Sequence, residues 1–131
     1  MTKAIVNGRL CLVAGKSDKR WRMPVLDTRR TAYYVELTGR ILSVDKRTGE
    51  AVPLKVRMPG KGREPTVRLR SRRRMQVKRL VALALFGRAD LVFSTDRDRV
   101  FHVNGDTSDC RASNIALDIE PDDVDERVMS E

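Results

Sequence analysis

The stretch of sequence that decides the fold is VFHVNGDTSDCRASNI, at residues 100–115. It opens with a β-prone run that ends beside the chain's only histidine, His102, and it closes on a second apolar run that begins at Asn114. The Asn-Gly-Asp triplet between the two runs is typical of a tight turn. This order predicts a strand at 100–103, a loop, and a second strand at 114–117.

Two helices are predicted around these strands. Apolar residues recur at helical spacing from Val77 to Leu85 and end near Gly87, which makes this the clearest helix in the chain. Pro121 suits the first turn of a helix at 121–129, and the acidic residues after it complement the helix dipole. The C-terminal part therefore has the order strand, loop, strand, helix.

The N-terminal half has the turn chemistry of β-hairpins. An Asn-Gly and a Thr-Gly dipeptide each lie between two β-prone runs, and a turn at 45–49 leads into another run. The polar stretch 15–30 around Trp21 is predicted to be a loop. The predicted strands are 4–6 with 10–13, 33–37 with 40–44, and 51–56.

Residues 66–70 alternate apolar with basic side chains, so one face of this strand is expected in the core and the other carries arginines. Residues 59–62 break the sheet before it, and residues 91–93 predict a short strand. The whole pattern predicts an α+β protein with small antiparallel hairpins or a sheet, one central helix and a C-terminal ββα unit. We expect a β-rich element at 1–65 and a second segment with an acidic end at 66–131, sharing one compact unit.

The charge of the chain is large and unevenly distributed. Lysine and arginine number 27 against 18 acidic residues, which gives a net charge of +9. Residues 55–79 hold eleven basic residues and only Glu64 as an acid, whereas residues 118–131 are mainly acidic. Ordinary salt-bridged surfaces intersperse acids, so the basic run predicts contact with a polyanion, foremost nucleic acid. The acidic tail either folds back on the basic face or is solvated.

Cysteine usage and the length of the apolar runs limit the cellular compartments in which the protein is expected. Cys11 and Cys110 lie far apart with no CxxC spacing, which argues against a zinc knuckle or a disulfide scaffold and favours a reducing cytosol. The longest apolar runs are too short to span a bilayer, and no signal peptide opens the chain. We therefore expect a soluble cytoplasmic protein without a membrane partner.

Three strings, in this order along the chain, resemble the phage-type HNH homing endonuclease family. Residues 34–43, YVELTGRILS, resemble the Tyr-x-Val-Ser-x-x-Gly-Arg-Ile-x-Ser motif of its modular DNA-binding element, with Trp21 upstream where that element often has a tryptophan. Residues 77–86, VKRLVALALF, resemble its Val-His-Arg-Leu-Val-Ala helix, and residues 100–115 are similar to its Asn-His-x-Asp-Gly core with the later Asn-Leu. The resemblance implies a ββα-metal unit and a bacterial or phage-infected cell.

The resemblance also implies roles for particular residues. His102 would be the general base, Asn114 would pin the loop and orient the imidazole, and Mg²⁺ would stabilise the leaving oxygen. The family's metal ligands fall on Phe101, Val124 and Arg127, none of which binds magnesium. We therefore predict a catalytically inactive relative without a metal or cofactor. In that case, His102 is expected to be a hydrogen-bonded anchor of its loop.

The sequence thus predicts a nucleic-acid-binding protein of HNH-like ancestry. Double-stranded DNA is the expected partner, since aromatic residues for base stacking are few. About six phosphate contacts would give a log-log salt slope of about −5. The residues predicted to contact phosphates are Arg68, Arg70, Arg72, Arg73, Arg74, Lys78 and Arg79.

Two alternative functions stay open. One is an active Mg²⁺-dependent nicking endonuclease with unorthodox metal ligands, in which His102 and Asn114 carry catalysis. The other is a phage-encoded inhibitor or modulator whose basic face docks onto a host nucleoprotein complex, such as RNA polymerase or a defence complex.

Overall fold

The computed structural model describes residues 2–14, 20–58, 64–71 and 73–120. Within these ranges the chain forms short strands in three antiparallel sheets around one main helix, so the predicted α+β class is confirmed. The helices are α1 (Val77–Phe86) and α2 (Ala89–Val92), with 3-10 turns at Pro24–Leu26 and Ala112–Asn114. The strands are β1 (Thr2–Val6), β2 (Arg9–Val13), β3 (Arg20–Arg22), β4 (Thr31–Glu36), β5 (Ile41–Asp45), β6 (Ala51–Pro53), β7 (Val56–Arg57), β8 (Thr66–Arg68), β9 (Arg74–Gln76), β10 (Val100–His102) and β11 (Ile115–Asp118).

The first sheet joins the two ends of the described chain. Its strand order is β1-β2-β11-β10. The β1–β2 hairpin turns at Asn7 and Gly8, which have φ values of 52° and 79°, the positive pair that a tight hairpin turn requires. Leu12 of β2 lies opposite Leu117 of β11. The predicted N-terminal hairpin and the predicted strand pair around the His102 loop are therefore confirmed, and one sheet combines both predicted segments.

The second sheet, β3-β4-β5-β6, is built on the predicted hairpin that turns at Gly39. The prediction of a loop throughout 15–30 is wrong, because Arg20–Arg22 forms an edge strand in which Trp21 lies opposite Val35. A strand of three residues is too short to show an alternation that sequence inspection detects. Pairing with β4 is what makes it a strand.

The third sheet, β7-β8-β9, carries the alternating segment. Val67 and Leu69 are buried while Arg68 and Arg70 are exposed, as predicted. Strand β9 was not predicted, since its extended shape follows from pairing back onto β8. The predicted break at 59–62 lies outside the described residues.

Helix α1 supplies the centre of the core. Leu80 and Val81 are fully buried, and the chain leaves the helix at Gly87, whose amide donates to the Leu83 carbonyl oxygen at 2.9 Å. The predicted helix is confirmed. One cluster of buried apolar side chains runs from Leu12 in the first sheet through Tyr33 in the second to this helix.

The predicted strand at 91–93 is wrong. Leu91 and Val92 lie in α2, a single helical turn in which the Phe93 amide donates to the Ala89 carbonyl oxygen at 3.0 Å. Three apolar residues fit either a strand or a helical turn, and packing beside α1 decides for the turn. No helix in the described ranges is long and apolar enough to cross a membrane. The predicted helix at 121–129 lies outside those ranges.

Candidate nucleic-acid interface and the pocket at His102

Strands β8 and β9 and the turn between them carry an outward row of arginines, which we term the arginine hairpin. Arg68 lies opposite Arg74, and the Leu69 amide donates to the Arg73 carbonyl oxygen at 2.8 Å across the turn. Since the apolar side chains of this unit face the core, its guanidinium groups face solvent. Its exposed members are Arg68, Arg70, Arg73 and Arg74, while Arg72 lies outside the described residues.

Arg70 anchors the arginine hairpin on the second sheet. Its amide donates to the Tyr33 hydroxyl oxygen at 3.1 Å, and its Nε donates to Ser43 Oγ at 3.1 Å. Tyr33 and Ser43 lie opposite each other in β4 and β5 and are both buried. These two bonds hold the turn of the hairpin beside the second sheet.

A basic cleft of about 1040 Å³ lies beside Arg70. It opens where β4 begins and β5 ends, with Thr31 opposite Asp45. Antiparallel pairing brings the segment that enters β4 next to the segment that leaves β5. The basic doublets Arg29–Arg30 and Lys46–Arg47 therefore lie side by side there. The basic residues that line the cleft are Arg29, Arg30, Lys46, Arg47 and Arg70.

Hydrogen bonds hold the two doublets in place. The Lys46 amide donates to the Arg30 carbonyl oxygen at 2.9 Å, and Lys46 Nζ donates to the Thr28 carbonyl oxygen at 2.7 Å. Asp45 accepts the Arg47 amide at 2.8 Å, a bond that lowers the pKa of its carboxyl group. The carboxylate of Asp45 is thus engaged by the turn, and the lining of the cleft keeps a positive excess.

Ion pairing separates the arginines into two groups. Members of the first group each lie within 4 Å of an acidic side chain, and they are Arg9, Arg22, Arg40, Arg79, Arg88, Arg97 and Arg111. Members of the second group have no ion pair to any residue in the described ranges, and they include Arg29, Arg30, Arg47, Arg68 and Arg73. Guanidinium groups without an internal acid are available for an external anion, and all five lie in the cleft or the arginine hairpin.

The two basic doublets at 29–30 and 46–47 were not among the residues predicted to bind nucleic acid. Each lies just beyond the outer end of a predicted hairpin strand, and the antiparallel register alone places them side by side. The run at 55–79 is a local excess of charge, whereas each doublet carries only two charges and gains its partner through the pairing of β4 with β5.

Lys78 and Arg79 do not belong to this surface, which corrects their predicted assignment. The Lys78 side chain is 4% exposed, because the first turn of α1 faces β10. Its Nζ donates to the Val100 carbonyl oxygen at 3.0 Å and pairs with Glu64 at 3.1 Å and with Asp98. Arg79 pairs with Asp98 at 3.5 Å and donates to a main-chain carbonyl at the end of α2. Both cations are thus neutralised inside the protein.

His102 ends β10 beside a pocket of about 330 Å³. Its side chain is 3% exposed, with Nδ1 3.9 Å from a Glu64 carboxylate oxygen and Nε2 3.7 Å from Cys110 Sγ. Burial lowers the pKa of the imidazole although the Glu64 charge opposes that shift, so the ring is neutral at pH 7. Burial also raises the pKa of the Cys110 thiol to about 11. Since Glu64 lies beside Nδ1 and Cys110 lies beside Nε2, both ring nitrogens of His102 face protein atoms.

Asn114 holds the loop that follows His102, as predicted. Its Oδ1 accepts the Asn104 amide at 3.0 Å, and its Nδ2 donates to Asn104 Oδ1 at 2.9 Å and to the Asp109 carbonyl oxygen at 2.8 Å. The predicted tight turn is confirmed by the Gly105 amide, which donates to the His102 carbonyl oxygen at 3.0 Å. The catalytic roles of His102 and Asn114 stay predictions.

The Mg²⁺ that the resemblance implies does not fit this pocket. Phe101 lines its wall at the position of the family's first metal ligand. The carboxylates of Glu64 and Asp98 already surround the Lys78 ammonium, which repels a divalent cation. Over the ranges that the structure describes, no group of three or more His, Cys, Asp or Glu side chains is placed to hold a metal ion. The other two expected ligand positions, Val124 and Arg127, lie outside those ranges.

Comparison of the chain with protein-family models, with curated proteins and with solved structures found no match. The HNH-like ancestry therefore stays a prediction, and the geometry of the chain carries the functional proposal.

Proposed function

We propose that this protein binds double-stranded nucleic acid, foremost DNA, through the basic cleft and the arginine hairpin. The observation that carries the proposal is the set of arginines that have no ion-pair partner in the described ranges. Five of them, Arg29, Arg30, Arg47, Arg68 and Arg73, lie in the cleft or the hairpin, and Arg57 lies in β7 next to the hairpin. The ion-paired arginines, in contrast, are neutralised by acids of the same chain.

Phosphate groups are the anions that suit this surface. A guanidinium group binds a phosphate through two parallel N–H bonds, and several arranged over one surface follow the repeating charge of a nucleic-acid backbone. The net charge of +9 adds a long-range attraction for a polyanion. Arg70 belongs to both the hairpin and the cleft, so the two surfaces form one continuous basic region.

The surface favours backbone contact over base stacking. Within the described ranges every aromatic side chain is buried or partly buried, so none offers the exposed platform on which single-stranded bases stack. A duplex presents its phosphates outward and needs no such platform. We therefore propose a duplex as the partner.

We further propose that the protein holds the duplex without cutting it. Both ring nitrogens of His102 face protein atoms, and its side chain is almost fully buried. A general base must reach the water that it activates. The cytoplasm is the proposed compartment, because Cys11 and Cys110 are free and buried thiols, which suits reducing conditions.

Binding to a fluorescent duplex of about 20 base pairs, measured by anisotropy at several salt concentrations, tests the proposal. The cleft variant carries Arg29→Ala, Arg30→Ala and Arg47→Ala. The control variant carries Arg40→Ala, Arg88→Ala and Arg111→Ala, which remove the same charge from ion-paired positions. We expect the cleft variant to bind at least about tenfold more weakly and to lower the log-log salt slope by about 2 to 3, while the control changes affinity less than about threefold.

Equal losses in the two variants would show that net charge alone attracts the duplex, and the proposed interface would be wrong. Failure of the native chain to bind either the duplex or a single strand at low salt would reject nucleic acid as the partner. Tighter binding of a single strand than of the duplex would reject the preference for a duplex.

A further inference from the structure

The pocket at His102 contains a cation that belongs to the chain itself. The Lys78 ammonium has three oxygen partners: the Val100 carbonyl at 3.0 Å, Glu64 Oε2 at 3.1 Å and Asp98 Oδ2. Hydrogen bonds to the Val100 carbonyl oxygen and to Asp98 Oδ2 use two of the three N–H donors of the ammonium group, and Glu64 forms an ion pair with it. These oxygens come from two separate segments of the chain, Glu64 from one and Asp98 with Val100 from the other, and the Lys78 side chain ties both to α1.

We propose that the Lys78 ammonium stands in for a divalent cation, and that these oxygens form a latent metal site which opens when the lysine side chain is removed. Carboxylate and carbonyl oxygens are the ligands that Mg²⁺, Ca²⁺ and Mn²⁺ prefer. In the native protein, the ammonium group thus occupies the site and neutralises its carboxylates without a metal.

Charge balance supports this assignment. Glu64 and Asp98 carry two negative charges, and Lys78 with Arg79 carries two positive charges within 3.5 Å of them. A divalent ion added to the native pocket would lie beside the ammonium with no free carboxylate to bind. Truncation of Lys78 leaves an excess negative charge on oxygens that are already positioned.

Space and access support it as well. Glu64, Lys78 and Asp98 line the same pocket of about 330 Å³, which is larger than a hydrated cation needs. The Asp98 side chain is 46% exposed, so the pocket is open to solvent on that side. An ion therefore has a route to the vacated position and room for water ligands.

Mn²⁺ is a suitable probe, because electron paramagnetic resonance counts the free ion and thermal unfolding reports its effect on stability. In EDTA, Lys78→Ala should lower the melting temperature by roughly 10 °C, since it removes a buried side chain with its hydrogen bonds and leaves the half-buried Glu64 carboxylate without its cation. With Mn²⁺, this variant should bind about one equivalent at least about tenfold more tightly than the native protein and should recover most of the lost melting temperature. The native melting temperature should not change.

Two further variants make the result specific. Glu64→Gln combined with Lys78→Ala should lose the Mn²⁺ binding, because one carboxylate ligand is gone. Lys46→Ala removes a lysine that is also ion-paired but more exposed, and it should create no Mn²⁺ site.

If Lys78→Ala unfolds in EDTA, refolding by Mn²⁺ supports the proposal, and failure to refold at any concentration overturns it. Mn²⁺ binding by the native pocket, seen as selective broadening of the His102 resonances, also overturns it. None of these readouts depends on nucleic acid.

Discussion

Gly39, in the turn between β4 and β5, packs directly against the main-chain carbonyl of Cys110. A β-carbon on Gly39 would lie 2.7 Å from the carbonyl carbon and closer still to its oxygen. Beside it, the Leu37 carbonyl oxygen accepts the Ala112 amide at 2.9 Å. The turn of the second sheet and the end of the His102 loop therefore form one tightly packed contact, which joins residues more than 70 positions apart in the sequence.

Gly39→Ala should destabilise the protein by about 3 kcal/mol. The added methyl group overlaps main-chain atoms that have no flexible end to move, and φ is 88°, a value that alanine rarely adopts. Urea unfolding followed by circular dichroism measures the loss. Gly49→Ala is the matched control, because φ there is 76° and nothing lies within 4 Å of the added carbon. It should cost only about 1 kcal/mol. Equal costs would contradict the close contact.

Asn114→Ala should destabilise the protein by about 2 to 4 kcal/mol. The change removes three hydrogen bonds that hold the loop and leaves loop groups without partners. Hydrogen exchange of the Asn104 amide should accelerate more than that of amides in α1, because the loop opens locally. Ser113→Ala, at an exposed neighbouring position, should change stability by less than about 0.5 kcal/mol. Unchanged exchange at Asn104 would mean that the loop is held by other contacts.

The stability of the protein should fall as pH decreases from about 7 to about 5. His102 has a lowered pKa in the folded state, first because it is buried, so the unfolded chain binds more protons in this window. Stability therefore rises with pH through the ordinary histidine pKa and is lost below it. A single proton contributes at most about 1.4 kcal/mol per pH unit. The groups that face His102 are Glu64, Lys78, Asp106, Asp109 and Cys110.

The His102→Gln variant isolates this effect. It should unfold with a smaller dependence on pH between 5 and 7 than the native protein, measured by urea titration at each pH. The carboxylates of Asp98 and Asp109 have lowered pKa values, Asp109 about 2, so they titrate below this window in both proteins. An identical slope in the two proteins would show that His102 does not titrate as its burial requires.

Tyr33→Phe should cost about 1 kcal/mol and loosen the arginine hairpin. The hydroxyl group accepts the Arg70 amide at 3.1 Å, and its removal leaves that amide without this partner. The Arg70 amide should exchange faster, and affinity for the duplex should fall modestly because one of the residues proposed to bind phosphate is less well positioned. Tyr34→Phe, on the opposite face of β4, is the comparison and should leave Arg70 exchange unchanged.

Elements whose structure is locally encoded were predictable. The Asn7-Gly8 turn accepts positive φ by itself, and the apolar residues of α1 repeat over three turns, so both were found without tertiary information. Elements of three or four residues were not. Strands β3 and β9 exist because a neighbouring strand pairs with them, and α2 exists because its two buried residues pack beside α1.

The residues of the candidate interface likewise fall into those that local sequence predicts and those that only the fold brings together. The alternation at 66–70 was enough to place Arg68 and Arg70 on an exposed face, since period two is a property of any strand. It was not enough to place Lys78, whose burial depends on acids at Glu64 and Asp98 that come from other segments. Nor did it include Arg29 and Arg47, which meet only through antiparallel pairing.

By itself, the sequence determined the α+β class, the central helix, the two main hairpins and a strongly basic surface, because turn chemistry, periodicity and charge are local properties. Only the tertiary structure decided which of its cations are available. An arginine or lysine is neutralised when an acid from a distant segment lies within a few ångströms, as at Lys78, and it stays available when none does, as at Arg29 and Arg47. That distinction depends on distances in the folded chain, since electrostatic attraction falls with separation in space and not along the sequence.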